Sequence, residues 1–208
     1  SSFNGRLLNE PWQIETGAGG DYKVFTPYWK AVKARYRAPD ALPAPTSLAG
    51  PELASDTLSD WNLHPTRPDW ADGLGATWTP GEAGAMERLS DFLDGPVNAY
   101  AEARNRPDID TGTSRLSPHL RFGEIGPAHV WRAVRHGVES GRVDEAGAMT
   151  FLSEIGWREF SYSLLFHNPD LASENYNPDF RHMPWRSDRV AYRAWCRGET
   201  GYPIVDAG

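Results

Sequence analysis

Apolar positions along this chain recur with helical spacing, and no stretch sustains the alternation of a half-buried strand. Met86, Leu89, Phe92 and Leu93 form one helical stripe behind Thr79-Pro80-Gly81-Glu82, a capping-box pattern. Pro96 interrupts that helix and residues 97–104 resume it. Thr26-Pro27 predicts a helix over residues 28–36, with the threonine as cap and the proline at the first helical position. Further helices are predicted over 118–122 and 127–136, over a long stretch at 145–167 closed by Asn168-Pro169, and over 188–197, stopped by Gly198. Gly17, Gly19 and Gly20 break any helix in residues 1–24, which read as an extended lead-in. Residues 37–75 are rich in Pro, Ala, Ser and Asp without a period; they read as a long surface excursion with one helical turn at 58–61. The pattern defines an all-α class with long irregular loops and no internal repeat.

A chain of 208 residues buries a real core as one large or two small domains. Nine tryptophans point to an aromatic-lined cavity or a Trp-dependent packing scheme. The single cysteine, Cys196, excludes an internal disulfide framework and a Cys-based zinc site. It reads as a small buried hydrophobe and fits a reducing, cytoplasmic setting. No apolar run reaches a membrane span, and Ser1-Ser2 without an initiator Met fits a processed or excised piece. The net charge of −7 argues against generic nucleic-acid binding. Its distribution is uneven: Asp40, Glu52, Asp56, Asp60, Asp69 and Asp72 face a lone Arg67, whereas Arg181, Arg186, Arg189, Arg193 and Arg197 face only Asp188. A local basic face binds phosphates on an acidic protein.

Three segments carry candidate chemistry. Gly112-Thr113-Ser114-Arg115-Leu116-Ser117-Pro118 puts hydroxyls and a guanidinium on a turn that opens a helix, with Ser117 as N-cap and Pro118 as its first residue. That set suits a phosphate or diphosphate, although many helices begin with Ser-Pro. In the long helix, Glu154, Trp157 and Arg158 stand at i, i+3 and i+4, with Phe151 one turn earlier and Leu152 and Ile155 for the core. An indole beside a carboxylate and a guanidinium suits a nucleobase; the same spacing also suits an ordinary Glu–Arg pair beside a core tryptophan. Trp185, after Pro184 and beside Arg186, reads as a surface residue and alternatively as partly buried packing, while Trp195 reads as core. The six histidines show no metal-ligand spacing, His167 and His182 reading as surface residues, and no nucleophile elbow, Walker loop or dinucleotide fingerprint is present.

Taken in order, Tyr22-Lys23-Val24-Phe25-Thr26-Pro27-Tyr28-Trp29, Thr113-Ser114-Arg115-Leu116-Ser117-Pro118, Glu154-Ile155-Gly156-Trp157-Arg158-Glu159-Phe160 and Thr200-Gly201-Tyr202-Pro203-Ile204-Val205-Asp206-Ala207 resemble hallmark segments of the photolyase/cryptochrome family. The resemblance runs over nearly the whole chain and implies the helical FAD-binding domain of a class I-like cyclobutane-dimer photolyase. It implies non-covalent FAD, light-driven electron donation to a pyrimidine dimer in UV-damaged DNA, and a monomer without metal or membrane. Carried over residue by residue, it assigns Tyr100, Thr113, Ser114, Arg115, Leu116, Ser117, Phe151, Glu154 and Arg158 to FAD. Arg104, Glu154, Trp157, Arg158 and Ser161 go to DNA, Glu154 and Trp157 being catalytic. Trp185 becomes the distal tryptophan of an electron chain, ten residues before Trp195.

The resemblance also implies absences. The family's antenna domain does not precede residues 1–24, read as an interdomain lead-in, so the antenna chromophore is not readable. Residues 25–208 correspond to the first portion of the helical domain, and the remainder of the flavin pocket would lie past Gly208. The chain therefore reads as a fragment expected not to hold FAD tightly by itself. Glu154 and Trp157 favour dimer repair over the alternatives, a cryptochrome-type photoreceptor or a (6-4) photolyase. Relatives of the (6-4) and animal cryptochrome kind tend to carry Gln at the first position, and plant cryptochromes tend to lack the tryptophan. A flavin-free helical DNA-binding piece is the third reading.

Overall fold

The computed structural model describes residues 4–40, 42–43, 45–51, 53–64 and 66–207. Ser1, Ser2, Glu52 and Gly208, which entered the reading of termini and charge, lie outside the described residues. The described residues form helices and loops, with no strand among them. Two compact units emerge, Ser1–His167 and Asn168–Gly208.

In the first unit the helices are α1 (Phe25–Arg35), α2 (Asp72–Thr77), α3 (Glu82–Leu93), α4 (Tyr100–Ala103), α5 (Ser117–Phe122), α6 (Pro127–Glu139) and α7 (Glu145–His167). α7 is the axis, packing against α1, α4, α6 and the 3₁₀ turns Pro11–Gln13 and Pro96–Ala99. A helix with so many neighbours needs apolar groups on several faces. It supplies Ala148, Phe151, Leu152, Ile155 and Phe160, all buried. Gly156 permits the closest approach: a Cβ there would lie 2.6 Å from the Trp29 ring. Trp29 in turn meets Trp131 of α6 edge-on at 5.9 Å, and Trp131 meets Tyr36 at 5.2 Å. The many tryptophans thus serve a packing scheme in part.

Several helix starts depart from expectation. α1 begins at Phe25 with Val24 as an uncapped N-cap, so Thr26 and Pro27 lie inside its first turn. A first turn has no obligatory N–H acceptor within the helix, so proline is tolerated there. α3 starts behind Gly81 at φ 99°, and Thr79 makes no capping bond. Met86 of its stripe is exposed, while Leu89, Phe92 and Leu93 are buried. α5 begins at Ser117 itself, with Leu116 in the N-cap position and no side-chain cap. Leu116 is buried in the core, which draws that residue rather than Ser117 to the helix entrance. α2 was not foreseen: Asp-Gly-Leu-Gly-Ala-Thr has poor intrinsic helix propensity. Residues 4–14 are less free than a linker, since Leu8 and Ile14 join the core.

The second unit holds 3₁₀ turns at Pro169–Ala172 and Pro178–His182, then α8 (Arg189–Arg197) and α9 (Pro203–Asp206), which pack on each other. Asp188 caps α8 by accepting from the Val190 and Ala191 N–H groups, both at 3.0 Å. Gly198 ends it at φ 65°. Asp206 closes the following loop, accepting from Thr200 N–H at 2.8 Å, Thr200 Oγ1 at 2.5 Å and Gly201 N–H at 2.9 Å. α8 buries none of its residues, so Trp195 and Cys196, both read as core, are exposed. Helical spacing puts Tyr192 and Trp195 side by side, with ring centres 5.9 Å apart, yet no described element covers that face.

Candidate functional site: a cationic cavity beside the long helix

The turn after α4 is shaped by contact before chemistry. At Gly112 a Cβ would fall 2.6 Å from the Ala103 carbonyl oxygen, so only glycine lets the chain lie flush against the end of α4. Arg115 sits at φ 52°, a left-handed conformation uncommon outside glycine. Ser114 Oγ accepts from Leu116 N–H at 3.4 Å. The turn leaves Thr113, Ser114, Arg115 and Ser117 along one wall of a cavity of about 580 Å³. That volume lies inside the ordinary range for small-molecule and cofactor sites.

The opposite wall comes from α4 and α7. Tyr100, Phe151, Glu154, Ile155, Arg158 and Tyr162 line it, while Leu116, Leu120 and Arg121 complete the turn side. All nine residues assigned to the cofactor therefore border one cavity. Phe151 is buried edge-on to Tyr100 at 5.4 Å, and burial pushes the Tyr100 phenol upward from its ordinary range. Arg115, Arg121 and Arg158 give the cavity three guanidinium groups.

Glu154 does not make the i,i+4 pair that its spacing allowed. It forms an ion pair with Arg104, the residue that follows α4. This bond to Glu154 raises the already high pKa of Arg104. Arg158 instead donates from Nη1 to the Arg6 carbonyl at 2.8 Å and to Glu159 Oε1 at 3.3 Å, and from Nη2 to the Leu120 carbonyl at 3.4 Å. Trp157 is half-exposed and stands outside the cavity wall, one indole face stacked on Phe25 at 3.8 Å and 11°. Ser161, also exposed, donates its hydroxyl to the Trp157 carbonyl at 2.9 Å. Trp185 lies in the second unit, with about three quarters of its surface exposed.

Among the described residues four polar ones are buried, none read as such in the sequence, and two of them have ionic partners. Glu159, almost wholly buried, accepts from the Leu8 and Asn9 N–H groups at 2.7 and 3.4 Å. Its signal is a carboxylate on the apolar stripe of Phe151 and Ile155, at steps of four. His119, equally buried, pairs through Nδ1 with Glu124 Oε2 at 2.5 Å and meets Trp78 edge-on. The bond to His119 holds the Glu124 carboxyl below its usual range. Reading histidines only for metal spacing passes over such a partner. No group of three or more metal-ligating side chains occurs among the described residues, and no described helix is long and apolar enough to cross a membrane.

Fold and cavity together define an α-helical domain with a cationic, partly aromatic cofactor-sized site, and comparison with known proteins shows what it resembles. A profile described as the FAD binding domain of DNA photolyase matches residues 151–208, and one described as DNA photolyase matches residues 1–46. A deoxyribodipyrimidine photo-lyase of Agrobacterium fabrum is 46% identical over 209 residues, covering 100% of this chain and 43% of that protein. Cryptochrome-1 of Arabidopsis thaliana is 30% identical over 214 residues, covering 100% of this chain and 31% of that protein. The crystal structure of a bacterial class III photolyase from Agrobacterium tumefaciens superposes with a TM-score of 0.90 at 46% identity, over 99% of this chain and 42% of that one. The chain is therefore similar to DNA photolyases at both of its ends and, by these relatives, along its whole length. It spans less than half the length of these relatives.

Proposed function

We propose that this chain contributes one side of an FAD site in a deoxyribodipyrimidine photo-lyase, and that the full-length protein repairs cyclobutane pyrimidine dimers in DNA under blue light. The observation that carries the reading is the gathering of nine side chains of suitable type around one cavity. The fit is chemical as well as spatial. Arg115, Arg121 and Arg158 suit a diphosphate, the hydroxyls of Thr113, Ser114 and Ser117 suit phosphate and polyol oxygens, and Leu116, Phe151 and Ile155 suit a flat ring system. When bound and reduced, FAD supplies the excited-state electron that splits the dimer.

The chain's own residues then act on the lesion. A dimer inside a duplex has to be extruded before it can be reached. Trp157 offers the indole face opposite Phe25 for stacking, and Phe25 backs the ring so that it meets the base without tilting. Glu154 turns a carboxylate toward the dimer's polar edge. Arg104, its ion-pair partner, exchanges that contact for a DNA phosphate. Ser161 adds a hydroxyl to the DNA side. Trp185, exposed, serves as the outer tryptophan of a reductive electron chain.

The test is loss of thymine dimers from a UV-irradiated oligonucleotide incubated with the full-length protein under blue light and in darkness. Dimers that persist equally in both would sink the reading. Similarity to a plant cryptochrome favours a second reading, a blue-light photoreceptor on the same flavin. It predicts a flavin that responds to light while the dimers remain.

A further inference from the structure

Arg158 is the cavity cation with the most elaborate support. Its three acceptors come from widely separated parts of the chain: the Arg6 carbonyl, the Leu120 carbonyl on the cavity wall, and Glu159 on its own helix. Glu159 governs two of these. Its Oε1 takes the guanidinium directly, and its Oε2 binds the Leu8 and Asn9 amides, which fixes the segment that presents the Arg6 carbonyl. The segment has an inner brace as well, Asn4 Oδ1 accepting from Arg6 and Leu7 N–H at 3.2 and 2.9 Å. A carboxylate this deeply buried is costly unless both its oxygens are used, and here both are.

We infer that Glu159 is a positioning residue for the cavity: by tying residues 6–9 and Arg158 together on α7, it fixes the guanidinium at the cavity wall. The inference rests on the flavin reading above for the identity of the ligand that Arg158 meets. Burial pushes Glu159 up to about 7, opposed by the Leu8 amide and Arg158, which favour its charged form. The other charged or titratable groups facing it are Glu10 from the lead-in and the phenols of Tyr28 and Tyr36 from α1 and its end. The hold on Arg158 therefore strengthens as pH rises through neutrality.

Glu159→Gln in the full-length protein separates positioning from simple structural support. The glutamine oxygen still accepts from Leu8 N–H, but the amide NH₂ then faces the guanidinium, donor against donor. Two measurements decide the matter: thermal unfolding of the flavin-free protein at pH 8, and the FAD dissociation constant from pH 6 to 8. We expect unfolding no lower than wild type, FAD binding weaker by about tenfold at pH 8, and a flattened pH profile, the size expected when one charge-assisted contact is lost. Unchanged FAD affinity in the variant overturns the inference. So does a weakening matched by a lower unfolding temperature, which marks a structural role. Should the variant fail to fold, the wild-type profile decides: FAD affinity that does not rise between pH 6 and 8 overturns it. A wild-type protein that binds no FAD at all overturns the functional reading, and the inference with it.

Discussion

At the scale of single residues, the proposed function gives Glu154 and Trp157 different work, so they should fail differently. Glu154→Ala removes a carboxylate from the cavity edge and frees Arg104, so repair should fall more than FAD affinity, which eight other side chains still support. Measured as dimers lost per flash, the drop should be about tenfold or more, the size of one charge-assisted hydrogen bond lost. Trp157→Ala removes the stacking face; its cost should appear as weaker binding to dimer-containing DNA, about 1–3 kcal/mol in a titration with damaged against intact oligonucleotide. Trp185→Phe should slow photoreduction without added reductant and spare repair by pre-reduced protein; transient absorption distinguishes the two. The set that borders the cavity was legible in the sequence because the turn's hydroxyls and guanidinium suit a phosphate and the family resemblance supplies the facing wall. Glu159 and His119 were not, since their partners, Leu8 and Glu124, are set by packing rather than by a chemical motif.

Helix interiors were readable from periodicity, and helix starts were not. α7 was legible over its full length because a sustained apolar pattern ends at Asn168-Pro169. The starts of α1 and α5 moved because ring packing of Phe25 and burial of Leu116 outweigh the half to two kcal/mol or so that a cap supplies. Where no burial competes, the local signal held to within a residue: α8 was expected from 188 and begins at Arg189, with Asp188 as its cap, and Gly198 stops it as expected. α7 also offers a test of element packing. Gly156→Ala would drive a methyl into the Trp29 ring, which cannot swing away from Trp131 and Phe25 without repacking. Overpacking of this kind costs about 1–3 kcal/mol, so the melting temperature should fall by several degrees. Gly156→Ser should do at least as much damage.

For the molecule as a whole, the all-α class and one cavity wall were open to the sequence, whereas the folding of residues 4–14 onto α7 was not: glycines at 17, 19 and 20 hide it. That contact sets a pH dependence whose sign is unusual for a carboxylate. Burial raises Glu159 from an ordinary 4.5 to about 7, so the group's contribution is fully present below pH 4.5 and is lost as pH rises through 7. The upper limit of that loss is about 3 kcal/mol. Asp21, Glu124 and Asp206, held low by Lys23, His119 and Thr200, act in the opposite sense, and their contributions are lost only on acidification below about pH 4. His129, whose pKa burial lowers, works against Glu159 in the same window, so the variant carries the test: chemical unfolding at pH 5 and pH 8 should show Glu159→Gln shifting the balance of stability toward pH 8. Leu8 and Glu159 are 151 positions apart. During synthesis the first partner leaves the ribosome on the order of ten seconds before the second exists, so the segment around Leu8 emerges adhesive and waits, in need of shelter, until α7 arrives to receive it.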